Sequence, residues 1–336
     1  MKTPLVTRSD IDAAAARIAE RLRRTPVLTI PGSDLVPSGF PDDTVISLKL
    51  EYLQHSGTFK ARGAMHFMLT NEIAAAGVTA ASGGNHGAAV AWAAQQLGHR
   101  ATIFVPTISA PAKVAKLRSY GAEVVQVGAV YAESLEACNE HQAASGATSI
   151  HAYEAPDVFA GAGTTGREFE LQVAEQGSPP LDAVLVACGG GGLVGGIATW
   201  FGQDHTADEN SATMPGPPTV VACETHDTAA YAEAKKAGQP VAVRVKGIAA
   251  DALGASTIGT LAFSALTTNG ADSVLVDDEA VLAAQRDLWE RFRIITEPSA
   301  AVPVAAIASG AWRPESGQHV GVVVCGANTS FDNLIR

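Results

Sequence analysis

From about residue 45 onward the chain alternates short, almost wholly apolar runs with amphipathic stretches, and this alternation constrains the fold more than any other feature. The runs 78–81, 101–105, 183–187, 219–224 and 319–325 would be hydrophobic on both faces of a strand. A sheet with one wet face would instead show strict polar–apolar alternation. The pattern predicts parallel strands joined by helical crossovers and covered by helices on both faces. Further strands are predicted over 45–50, 123–127 and 273–276, and helices over 64–75, 88–97, 111–120 and 131–144. A first helix capped by Ser9 carries Ile11, Ala14, Ala15, Ile18 and Leu22 on one face and stops at Thr25-Pro26. So many strands predict two open, mostly parallel twisted sheets flanked by helices. The expected division is a large domain of residues 1–69 and 158–336, and a small domain of residues 70–157. Residues 204–218, polar and proline-containing, read as a surface loop.

Composition narrows the partners. The 336 residues carry 34 acidic against 23 basic side chains, a formal net charge of −11. This balance disfavours nucleic acid or an anionic membrane as the main partner, though not a local pocket for a small anion. The four cysteines (138, 188, 223 and 325) form no CxxC pair, and no histidines stand at zinc spacing, so no metal site is predicted. Reduced thiols, no signal-peptide pattern and no long apolar window lead to the expectation of a cytoplasmic protein without a membrane span.

In open α/β sheets ligands bind at the carboxyl ends of the strands. Three glycine-containing segments fall there: Ser82–Gly87, Gly189–Gly196 and Cys325–Asn328. Four consecutive glycines, Gly189, Gly190, Gly191 and Gly192, follow a strand and open a helix. Without Cβ atoms their N–H groups can close around a phosphate. The spacing fits the dinucleotide fingerprint poorly and favours a smaller phosphate. Ser82-Gly83-Gly84-Asn85-His86-Gly87 reads either as a helix cap or as a site for a carboxylate, with the Asn85 amide free to bond a phenolic oxygen. Lys60, in Ser56-Gly57-Thr58-Phe59-Lys60-Ala61-Arg62-Gly63-Ala64, reads on its own either as an exposed lysine at a helix start or as a desolvated nucleophilic amine.

These segments occur in the order found in pyridoxal-phosphate enzymes of the tryptophan-synthase-β type, fold type II. Lys113–Gly121, Gly161-Ala162-Gly163-Thr164 and Thr296-Glu297-Pro298-Ser299 extend the likeness to nearly the whole chain. Within that group the chain most resembles the threonine/serine dehydratases. The resemblance implies pyridoxal 5'-phosphate as cofactor, held by Lys60 as a Schiff base, with Phe59 against it. Asn85 bonds its phenolic oxygen, and Gly189 to Gly192 with Leu193 cradle its phosphate. Cys325 faces the ring nitrogen, Gly247 lies near the ring and Glu297 lies on the substrate side. Ser82, Gly83, Gly84 and His86 hold the substrate carboxylate.

A neutral Cys325 leaves the ring a weaker electron sink, which favours prompt loss of a β leaving group. The implied activity is β-elimination of L-threonine, L-serine or a related 3-hydroxy amino acid to a 2-oxo acid and ammonia, by a homodimer. The rival readings are a racemase or β-replacement enzyme of the same fold, and a non-catalytic module binding a phosphate ligand.

The chain also departs from its relatives. Racemases place a serine where this chain has Gly83. Glu224 matches a metal-binding glutamate of some relatives, but Ala230 stands at the sixth position after it. Lys246 replaces the usual Asp ahead of Gly247-Ile248-Ala249. The chain ends soon after Asn328, so no C-terminal regulatory domain is expected.

Overall fold

A computed structural model of the chain describes residues 6–36, 41, 43–202 and 216–329. Most of the 204–218 loop expected from sequence therefore lies outside the described residues. Among the described residues ten strands form two sheets: β1 Val27–Pro31, β2 Val45–Lys49, β3 Val78–Ala81, β4 Ala101–Val105, β5 Glu123–Gln126, β6 Thr148–Ser149, β7 Ala183–Ala187, β8 Thr219–Thr225, β9 Asp272–Val276 and β10 His319–Val323. The larger sheet runs β1-β2-β10-β7-β8-β9 and the smaller β5-β4-β3-β6. Every pairing is parallel except β1 with β2. The two mostly parallel sheets flanked by helices are the architecture the apolar strands required.

Each sheet has its own core. Val184, Leu185, Val186, Val220, Val221, Val320 and Val322 anchor the larger one. Val78, Ala80, Ile103, Val105, Ala89 and Val90 anchor the smaller. The helix Pro156–Glu175 packs against both Lys60–Thr70 and Gly192–Phe201. A Cβ on Gly161 would lie 2.8 Å from the Arg62 carbonyl oxygen, and one on Gly163 3.0 Å from that of Gly196. The Gly161-Ala162-Gly163-Thr164 motif thus serves close helix packing.

Local differences from the sequence reading have physical causes. The first helix, Arg8–Ile18, is capped by Thr7 and not Ser9: Asp10 N donates to Thr7 Oγ1 and Thr7 N to Asp10 Oδ2, a reciprocal capping box. It ends at Ile18, before Leu22. The next long helix begins at Lys60 and not Ala64, and stops at Thr70, where Asn71 donates back to the Phe67 carbonyl. The edge strand β1 escaped notice because prolines 26 and 31 bracket only four residues.

Strand order positions the chemistry. β2, β10 and β7 are neighbours, so the segments after them, at Lys60, Cys325 and Gly189, emerge side by side. The Ser82 segment follows β3 in the smaller sheet and faces them.

Candidate active site

The loop carrying Lys60 is stitched to the loop after β10. Thr58 and Gly326 form an antiparallel bridge, Phe59 N donates to the Cys325 carbonyl (3.1 Å) and Ala327 N to that of Gly57 (3.0 Å). Ser56 holds a left-handed conformation at φ 59°, uncommon for a non-glycine residue and concentrated at functional sites. This turn delivers Lys60 as the first residue of its helix. Its Nζ donates to the Ala152 carbonyl (2.7 Å) and lies 5.1 Å from the Phe59 ring centre. Burial lowers its pKa to about 8, against opposing pulls from Cys325 and Glu297. Cys325 is itself buried, and burial with nearby Glu297 pushes its thiol up, so it stays neutral.

The glycine run opens the helix Gly192–Phe201, with Gly191 left-handed at φ 85°. Among the described residues, the N–H groups of Gly189, Gly190 and Gly191 find no backbone acceptor. A Cβ on Gly190 would meet the Tyr153 ring at 2.4 Å. Tyr153 and the Ala152 carbonyl thus border the glycine loop and Lys60 respectively. Sequence reasoning missed both, for nothing in 151–155 repeats or carries a motif.

Asn85 opens the helix Asn85–Leu97 and donates to Glu297 Oε1 (2.6 Å); its Oδ1 accepts from Asn328 Nδ2. Glu297 also accepts from Ser299 Oγ (2.7 Å) and Asn328 N (3.1 Å), and burial raises its pKa. A cavity of about 590 Å³ opens beside these groups. Gly83, Gly84, Asn85 and Glu297 border it, as do Lys113, Lys116 and Asp251. Lys113 pairs with Asp251 across its rim.

Lys60, Phe59, Asn85, Glu297 and Cys325 are thus gathered at one place, with Gly83 and Gly84 on the same cavity as Asn85. Ser82 works locally, accepting from Gly84 N (3.3 Å). His86 is buried and its Nε2 meets the Ile150 carbonyl (2.8 Å); burial and nearby Lys60 lower its pKa to about 3, so the ring is neutral. Its ring is not part of the cavity wall, and neither is Gly247. Gly247, at φ 81°, faces the Asp278 carboxylate and the Asp227 Cβ, while Ile248, Ala249 and Ala252 reach the cavity instead. Glu224 accepts from the N–H groups of Tyr231 and Ala232, and among the described residues no cluster of metal-ligating side chains occurs. No helix of the described residues is long and apolar enough to cross a membrane.

These residues fit pyridoxal phosphate. A desolvated amine, free N–H groups at a helix start and a neutral thiol match its aldehyde, phosphate and ring nitrogen.

Comparison with known proteins leads to the same chemistry. Residues 18–326 match the family described as pyridoxal-phosphate dependent enzyme. The phenylserine dehydratase of Ralstonia pickettii is 33% identical over 99% of this chain and 97% of its own length. The solved T.th. threonine deaminase superposes with a TM-score of 0.84 at 33% identity, covering 97% of this chain and 99% of that one. Maize serine racemase superposes at 0.85 with 28% identity, over 99% and 96% of the two chains.

Proposed function

Because the chain belongs to the pyridoxal-phosphate dependent enzyme family, we propose that it eliminates water from L-threonine, L-serine or a related 3-hydroxy amino acid. The released enamine then hydrolyses to a 2-oxo acid and ammonia. The observation that carries this reading is the pairing of a desolvated Lys60 with a neutral, buried Cys325.

When bound, pyridoxal phosphate supplies a carbonyl for amines and a conjugated ring that spreads the electron pair left at the substrate α carbon. Lys60 supplies the amine that anchors it. At pH 7 a lysine with a pKa of about 8 is neutral in about one molecule in ten, against under about one in a thousand for an ordinary lysine. With its pKa lowered by burial, the Lys60 Nζ amine would take the α proton of the bound substrate. The N–H groups of Gly189 to Gly192, with Leu193 at the helix start, would hold the phosphate, and Asn85 Nδ2 would donate to the phenolic oxygen. Cys325 would set a neutral donor at the ring nitrogen, which would favour immediate departure of the β hydroxyl over a long-lived charge at the α carbon. Gly83 offers no acid on the face opposite Lys60, which disfavours racemisation. The Ser82–Gly84 backbone holds the substrate carboxylate.

The cavity supports a second, broader reading of the substrate. Leu117, Ile248, Leu282 and Ala88 line it, which suits a bulky apolar group on the β carbon, up to an aryl. The reading extends to a small domain at 70–157 and to a cytoplasmic homodimer.

Incubating the purified protein with L-threonine, L-serine and L-phenylserine tests the reaction. Formation of 2-oxo acid and ammonia is expected. D-serine, or β-substituted products with an added nucleophile, would replace it with racemisation or β-replacement. A folded protein that never takes up the cofactor would leave only a binding module.

A further inference from the structure

Lys116 has no part in the reaction above, yet it joins the loops that do. It lies on the helix Pro111–Ser119, beside the smaller sheet, and borders the cavity. Its Nζ donates to the Ser56 carbonyl (3.0 Å), in the loop before Lys60, and to Asn328 Oδ1. From there a chain of side chains runs on: Asn328 Nδ2 donates to Asn85 Oδ1, and Asn85 Nδ2 to Glu297 Oε1 (2.6 Å).

A primary amide has almost the same shape with its oxygen and nitrogen exchanged, so its orientation is set by its partners. Asn85 and Asn328 could turn over together, and only the ends of the chain can stop them. Glu297 is a weak stop. As a carboxylate it accepts, as a carboxylic acid it can donate, and burial favours the acid. A lysine ammonium has three donors and no acceptor. It forces the Asn328 oxygen towards itself, which turns the Asn328 NH₂ to Asn85 and the Asn85 NH₂ away from Asn328. We propose that Lys116 is a positioning residue: acting through Asn328, it holds the Asn85 amide with its N–H groups turned to the cofactor's phenolic oxygen. This inference rests on the role given to Asn85 above. The second bond, to Ser56, ties the same ammonium to the turn that delivers Lys60.

The test compares Lys116→Met, Lys116→Arg and Asn328→Asp in the full chain. Three quantities are measured: the Kd for pyridoxal phosphate, the position of the visible absorption band, and kcat and KM. Circular dichroism checks that each variant folds. Lys116→Met should weaken cofactor binding by about tenfold, the scale of one hydrogen bond, and move the band. Lys116→Arg, which also only donates, should restore both. Asn328→Asp offers Asn85 nothing but an acceptor, so it should move the band in the same sense although Lys116 is present. If Lys116→Met does not fold, Asn328→Asp decides alone. An unmoved band and unchanged Kd in a folded Lys116→Met, with only KM altered, would mean that Lys116 meets the substrate and would overturn the proposal. So would a wild-type band in Asn328→Asp. Cofactor uptake without any lyase reaction would sink the proposed reaction and leave this inference standing.

Discussion

Lys49 and Lys60 are two partly or wholly buried lysines separated by two short helical turns, and they are treated in opposite ways. Lys49, the last residue of β2, spends all three donors: on the Thr25 carbonyl (2.7 Å), Glu168 Oε1 (2.5 Å) and Gln172 Oε1 (2.7 Å). Glu51 and Glu168 in turn grip Arg62, with Glu51 forking onto Nε (2.5 Å) and Nη2 (2.9 Å). Two cations and two carboxylates make a neutral, saturated cluster. Burial lowers the pKa of Lys49, but Glu51 and Glu168 oppose the fall. Lys60 has one carbonyl and no carboxylate partner among the described residues. One ammonium is locked as a charge for structure, while the other is left able to lose its proton for chemistry. Arg62 connects them, for the cluster that clamps it fixes the helix that begins at Lys60.

The largest effect that would sharpen this contrast is on activity. Lys60→Ala should abolish colour and lower turnover by at least about 10²- to 10⁴-fold, the scale of a positioned base, while the unfolding midpoint holds. Equal loss of stability in this variant would erase the distinction between the two lysines. Next comes Lys49→Met, which leaves Arg62 alone to balance the two carboxylates of Glu51 and Glu168. It should cost about 3–5 kcal/mol in denaturant unfolding, while the folded fraction still binds cofactor.

A third prediction concerns pH. The folded pKa of Lys60, about 8, lies below its unfolded value, so between them the unfolded chain binds more protons. The cofactor-free protein should therefore gain stability from Lys60 as pH rises above about 8, until the unfolded lysine also titrates. The rate at which cofactor-free protein captures pyridoxal phosphate should likewise rise with pH and level off above about 8. A capture rate still climbing at the pH of an ordinary lysine would put Lys60 in the same class as Lys49. The smallest structural effect belongs to Gly83→Ser. A Cβ there would meet Val105 Cγ1 at 3.5 Å and Ser109 Oγ at 3.6 Å, ordinary contacts, so stability should change by less than about 0.5 kcal/mol. The added hydroxyl should let slow D-serine formation appear in a chiral assay.

The fold was legible in sequence because strands buried on both faces must be apolar, and few other elements look like Val184–Val186 or Val320–Val324. The site was legible where backbone geometry demands glycine, as at Gly191 and Gly87; a Cβ on the latter would sit 1.9 Å from the Ser82 carbonyl oxygen. What stayed hidden depends on long-range pairing. Lys49 looks like any strand-end lysine until Glu168 arrives from 119 residues away. Asn328 and Lys116 lay inside recognised motifs, but only the juxtaposition of the two sheets brings Lys116 onto Asn328 and Asn328 onto Asn85. Gly247 lies off the cavity wall because its left-handed turn faces Asp278 and Asp227, and the residues after it, Ile248 and Ala252 among them, reach the cavity in its place.

We propose that Lys60 alone carries the cofactor. Borohydride reduction of the coloured protein, followed by peptide mass mapping, tests it most directly. A single reduced pyridoxyl adduct on the peptide containing Lys60 is expected, with Lys49, Lys113 and Lys116 unmodified. An adduct on one of those lysines, or bleaching without any covalent adduct, would contradict it.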